Sequence, residues 1–199
     1  QPDLVITDTK LLASLPKREI ICGYAEILKH SLIKNRKLFL FLDKNLQNIL
    51  GLKKNFIEKV ILESCKIKKR VVENDEKEIS VRKSLNLGHT FGHAYEAALN
   101  YSKKLNHGEA VLYGILSATK LSKKLKMLNN NEYNLILSHL SKLKFTNINK
   151  FFNKKNINKI VMFMVADKKN YTNKINFITL NKIGSVSINN QLNINKVRN

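Results

Sequence analysis

The chain has 199 residues, 43% of them hydrophobic, and a net charge of +21. That length supports one good core, or at most two small ones. No apolar run approaches the roughly 18 residues of a membrane helix, no signal-peptide pattern is evident, and Cys22 and Cys65 are too far apart for a CxxC site, so a reducing compartment, the cytoplasm, is expected.

The start at Gln1, followed by a short strand-like LVIT segment and a turn, reads as a chain begun at a domain junction. Helical periodicity then takes over. Pro16 suits a first helical turn after Ser14 as a cap, and Ile20, Tyr24, Ile27, Leu28 and Leu32 form one apolar stripe. Glu26, Lys29 and His30 lie off that stripe at a spacing that lets all three face a common cleft. A second helix is predicted over residues 38–50 and a third over 53–72. The acidic segment from Asn74 to Glu78 breaks the pattern. Helices follow over 88–100, 110–125, 132–143 and 157–165, with residues 129–131 and 153–158 read as loops. Residues 175–180 alternate and can pair with 185–188 as a hairpin. The fold class is mainly α, a single helical domain with a small C-terminal β-hairpin.

The charge raises the question of nucleic acid, since basic chains gain affinity by releasing counterions from phosphates. The basic residues are nearly all lysine, scattered among Asn and Ile, and arginine, the residue suited to bidentate base reading, occurs only at positions 18, 36, 70, 82 and 198. A basic nucleic-acid-binding helical module is therefore the weaker alternative, and the lysine runs are read as solvated helix faces.

The chemistry concentrates between Leu85 and Glu109, which hold three of the five histidines. His89 and His93 are four apart, so on a helix both rings leave one face and can share a metal or divide the work of ligand and proton carrier. A turn through Asn106 and Gly108 can return His107 to that pair. Alone, Glu26 would be an ordinary surface ion-pair partner, His89 or His107 a capping or core histidine, Arg82 and Lys68 solvated charges, and Asn86 a cap. His30 and His139 are read as structural.

Four stretches together resemble 3-dehydroquinate synthase in its C-terminal half: LPKREIICGYAEILKHSLI, KKRVVENDEKEISVRKSLNLGHTFGHAYEA, HGEAVLYGI, and the DKK of Asp167 to Lys169 followed by INFITLNKIG. The resemblance implies a cytoplasmic homodimer of the shikimate pathway, with a preceding NAD-binding domain that this chain lacks and a helical domain holding zinc or cobalt. It implies Glu26, His89 and His107 as metal ligands and catalytic roles for His93, Glu78 and Lys29. Substrate contacts are implied for Lys29, Lys68, Arg82, Asn86 and one or both of Lys168 and Lys169, and backbone contacts to NAD for Leu11, Leu12, Ala13 and Ser14. The implied reaction converts 3-deoxy-arabino-heptulosonate 7-phosphate to 3-dehydroquinate and phosphate, through transient oxidation by NAD, β-elimination, reduction and an aldol closure. The isolated piece is expected to be inert. The family usually has glycine where this chain has Ser80, so the loop carrying Glu78 is expected to be stiffened or re-aimed. The other sugar-phosphate cyclases and the iron-dependent dehydrogenases share the metal-plus-NAD plan; the DKK block and the Arg82 to Asn86 spacing favour the dehydroquinate enzyme over the dehydrogenases.

Overall fold

A computed structural model describes residues 3–149, 153–166 and 174–193. Seven helices are present among them: α1 (Lys17–Lys34), α2 (Arg36–Leu50), α3 (Lys54–Asn74), α4 (His89–Ala98), α5 (His107–Lys124), α6 (Asn130–Ser141) and α7 (Lys154–Ala166). Two antiparallel strands, β1 (Lys174–Lys182) and β2 (Ser185–Asn193), close the described chain as the expected hairpin. A 3₁₀ segment, Thr9–Ser14, precedes α1 and another, Val81–Asn86, joins α3 to α4, and neither carries a periodicity that a sequence could announce.

The apolar stripes fall where their spacing puts them. On α1, Tyr24, Ile27, Leu28 and Leu32 are buried, and they meet α2, α3 and α5 in the larger of two apolar clusters. The smaller cluster gathers around Tyr95, Tyr113, Ile160 and Phe177, with Phe91 and Leu116 packed against both. Strand β1 serves both: Ile175 and Phe177 enter the smaller cluster, Ile178 and Leu180 the larger. The switch coincides with a register irregularity between Phe177 and Thr179, the place where an extra residue re-aims a strand.

Local readings are corrected in four places. Leu4–Thr7 form no strand, and Leu4, Val5 and Ile6 are exposed. Ser14 does not cap α1: its hydroxyl donates to the Leu11 carbonyl 2.8 Å away and closes the 3₁₀ turn, while Pro16 holds the cap position. Asn130 and Asn131 are helical, because Asn129 caps α6 by accepting from the Glu132 amide at 2.9 Å. Residues 154–158 belong to α7 for the same kind of reason, with the Asn153 side chain accepting from the Asn156 amide. Asparagine-rich runs read as loops by composition, yet asparagine is also a strong N-cap.

The crossing of α4 and α5 sets the position of the histidines. Gly88 has φ +81°, and a Cβ there would stand 2.8 Å from the Ile115 amide nitrogen, while a Cβ on Gly114 would collide with the Gly88 carbonyl. Only glycine permits both the left-handed turn and the contact. At the other end of α5, a Cβ on Gly108 would overlap Cys22, so the first turn of α5 lies directly against α1.

Candidate metal centre

Three helices deliver the site. His89 opens α4, His107 opens α5, and Glu26 sits midway along α1. The start of α5 is anchored by Glu109, whose carboxylate accepts from the Asn106 backbone N–H at 3.0 Å, from Arg18 of α1 at 2.5 Å, and from the amide and hydroxyl of Thr146. Burial pushes the Glu109 carboxyl up, but the Arg18 guanidinium and these donors outweigh it and hold the group below the usual carboxylate range. His107 is thereby fixed one residue past a pinned cap.

One ligating atom from each of Glu26, His89 and His107 lies within 4.8 Å of the other two. The His89 ring is 5.3 Å from His93 and 5.5 Å from His107, centroid to centroid, and the His93 and His107 rings are 6.1 Å apart. Glu26 Oε2 accepts from Lys29 Nζ at 2.7 Å. Its other oxygen, Oε1, is buried and has no hydrogen-bond partner among the described residues. A buried carboxylate oxygen left in that state is costly unless something else satisfies it.

The electrostatics agree with a cation between these groups. Burial raises the Glu26 carboxyl, but the charge and hydrogen bond of Lys29 bring it below its ordinary value, so the group is an anion. His89 is pushed down to about 4, first by burial and then by the Lys29 charge, which leaves a neutral ring near pH 7. Its Nδ1 faces the Leu87 carbonyl at 3.4 Å, so Nε2 is the free lone pair. One carboxylate and two imidazoles make a donor set that fits zinc or a similar divalent ion while leaving a coordination position open.

Lys29 is buried, and burial lowers its pKa against the opposing pull of Glu26. Lys68 on α3 is exposed, yet close enough for its charge to act on Lys29. Glu78 and Asn86 are bonded to each other, the Asn86 amide donating to Glu78 Oε1 at 2.5 Å. Ser80 stays out of the left-handed region (φ −131°), and it is Glu78 that has positive φ, +56°. The loop is organised by Asp75, whose carboxylate accepts from the amides of Ile79, Ser80 and Arg82 at 2.7–2.9 Å. Burial pushes the Asp75 carboxyl up, but these donors together outweigh it and hold the group below its usual range. Arg82 also donates from Nη1 to the Glu76 carbonyl. Leu11 to Ser14 lie on the 3₁₀ turn Thr9–Ser14, and Leu12 lines a cavity of about 260 Å³ that also reaches Tyr24 and Glu26. Lys168 and Lys169 lie outside the described residues.

Of the expected cluster of Glu26, Lys29 and His30, the first two form an ion pair, and buried His30 is close enough for both charges to act on it while its Nδ1 pairs with the Ser64 hydroxyl at 2.7 Å. His139 is fully buried between Tyr24 and Asp43, consistent with a structural role. Sequence reasoning missed Glu96, whose oxygens both lie 3.3 Å from His107 Nδ1. The signal was available: His89, His93 and Glu96 stand at i, i+4 and i+7 on one helical face.

The fold has solved counterparts. It aligns with 2-epi-5-epi-valiolone synthase from Streptomyces hygroscopicus, a structure with NAD+ and Zn2+ bound, at a TM-score of 0.78 and 20% identity over 96% of this chain and 52% of that one. It also aligns with 2-deoxy-scyllo-inosose synthase, complexed with carbaglucose-6-phosphate, NAD+ and Co2+, at 0.79 and 20% identity over 96% of this chain and 54% of the other. The fold is thus one that about half of each of these synthases shares. The profile of the 3-dehydroquinate synthase C-terminal region matches residues 23–170. Curated 3-dehydroquinate synthases are 57% identical over 186 residues in Pelagibacter ubique (93% of this chain, 50% of the relative) and 43% identical over 190 in Dictyoglomus thermophilum (94% and 51%). The chain belongs to the 3-dehydroquinate synthase C-terminal family, and it spans about half the length of these relatives.

Proposed function

We propose that this chain is the metal- and substrate-binding part of a 3-dehydroquinate synthase, a cytoplasmic, homodimeric lyase of the shikimate pathway that acts on 3-deoxy-arabino-heptulosonate 7-phosphate. The observation that carries the reading is the convergence of Glu26, His89 and His107 from three helices, with the Glu26 Oε1 atom buried and unpartnered. A divalent ion held there supplies Lewis-acid polarisation of a substrate hydroxyl, and NAD bound beside the 3₁₀ turn of Leu11, Leu12, Ala13 and Ser14 supplies the hydride acceptor and donor. Lys29 fixes the Glu26 carboxylate and presents a cation to the site. His93, on the same helical face as His89, is the proton carrier. Lys68, Arg82, Asn86 and the segment of Lys168 and Lys169 bind the anionic substrate, lysine as a point charge and arginine as a planar fork. Glu78, in hydrogen-bond contact with Asn86, serves as proton acceptor.

The test is phosphate release from the heptulosonate phosphate by the full-length protein. Release should need both NAD and a divalent metal, and His93→Ala should lose turnover while keeping its metal. Undiminished release after chelation, or without NAD, would overturn the reading.

A further inference from the structure

We infer that Glu96 is a positioning residue for His107: its carboxylate accepts a hydrogen bond from Nδ1–H and so turns the Nε2 lone pair toward the ion. The inference rests on the metal-centre reading above and adds a residue that none of its assignments include. Both Glu96 oxygens lie 3.3 Å from His107 Nδ1. The Glu96 side chain is only 13% exposed, whereas His107 is 54% exposed. At a helix start and half exposed, the His107 ring touches the His89 and His93 rings, but those contacts do not choose its tautomer. A mostly buried carboxylate on the neighbouring helix supplies that choice, because an imidazole that donates through one nitrogen keeps a lone pair on the other. Metal-bound histidines commonly donate their second N–H to a carboxylate or a carbonyl. His89 does so with the Leu87 carbonyl, and Glu96 completes the pattern for His107.

The same side chains offer a rival arrangement. His93, Glu96 and His107 also bring ligating atoms within 4.8 Å of one another, so a second ion could be imagined on that set. It would have to share His107 with the first and draw His93 out of the substrate cleft. The orienting role needs no such sharing.

The experiment uses the full-length protein stripped of metal. Zinc affinity is measured by competition with a chromophoric chelator, cobalt by its visible absorption bands, and folding by the unfolding midpoint of the metal-free form. Glu96→Gln keeps the size of the side chain and removes the charge. It should weaken zinc binding by about 10–100-fold and alter the cobalt spectrum, with the metal-free midpoint unchanged. His107→Ala should weaken binding further, and adding Glu96→Gln to it should have no additional effect. Unchanged affinity in Glu96→Gln, or a full added loss on the His107→Ala background, overturns the inference while leaving the metal centre intact. A second zinc equivalent lost selectively in Glu96→Gln overturns it in favour of the rival site. Unchanged affinity in His107→Ala alone removes His107 from the centre, and the inference with it.

Discussion

Removal of a single imidazole should uncouple stability from metal. In the wild type, Glu26, His89 and His107 can surround one ion, and anything that binds the folded state alone stabilises it by RT ln(1 + [L]/Kd). At free zinc a hundredfold above Kd this is about 2.7 kcal/mol, and for a chain of this size each kcal/mol moves Tm by roughly 2–4 °C. Zinc should therefore raise the midpoint by about 5–11 °C. His89→Ala is the clean perturbation, because among the described residues His89 is in no ion pair and its hydrogen bond to the Leu87 carbonyl is long at 3.4 Å. Glu26→Gln also removes a ligand, but it strips the buried Lys29 of its counter-charge and confounds the baseline. The assay is differential scanning fluorimetry with and without zinc, paired with metal analysis. The zinc increment should vanish in His89→Ala while the metal-free midpoint falls only modestly. An equal increment in variant and wild type, with zinc still bound, would refute the convergence argument.

Three further outcomes are expected. Glu109→Ala removes the acceptor for Arg18, Asn106 and Thr146 at a buried position and should cost about 2–4 kcal/mol in urea unfolding, with zinc affinity reduced because His107 adjoins the loosened cap. Asp75→Ala releases the loop of Glu78 and Arg82 and should raise KM several-fold while zinc affinity stays constant; direct titrations separate the two effects. His30 is pushed down to about 4 by burial, so the fold favours its neutral form. Its contribution is fully present above an unfolded value of about 6.5 and is lost as pH falls toward 4, on the order of 3 kcal/mol in total; His30→Gln should flatten the stability–pH curve of the metal-free protein across that window.

What the sequence disclosed follows from which interactions are local. Stripes such as Tyr24, Ile27, Leu28 and Leu32 repeat at 3.6 residues, and burial confirms them because a helix face is fixed by its own spacing. His89 and His93 were legible as a pair on the same ground. Nothing local links either to Glu26, and that connection came from the resemblance of whole blocks to a family. The Arg18–Glu109 pair was illegible because its members come from distant segments and meet only in the tertiary fold, whereas the Asp75 loop is local, its carboxylate capturing the amides of Ile79, Ser80 and Arg82, but it carries no periodicity that marks it out. The Asn-rich stretches misled for a different reason, since one residue type serves loops and N-caps alike and only the following periodicity separates them.

The placement of the ligands on three elements has a mechanical consequence. Each ligand-bearing helix is tied to another by a contact that tolerates no added atom or lost charge: α4 to α5 through Gly88 and Gly114, α5 to α1 through Gly108 against Cys22 and through Glu109 with Arg18. Glu26, His89 and His107 can then approach one another with Oε1 left unpaired because the energy that holds them in place is spent elsewhere, in packing and in ion pairs that do not touch the site. Such a centre is preorganised. Enlarging Gly114 should accordingly damage zinc affinity as severely as removing a ligand, although no atom of Gly114 is a donor.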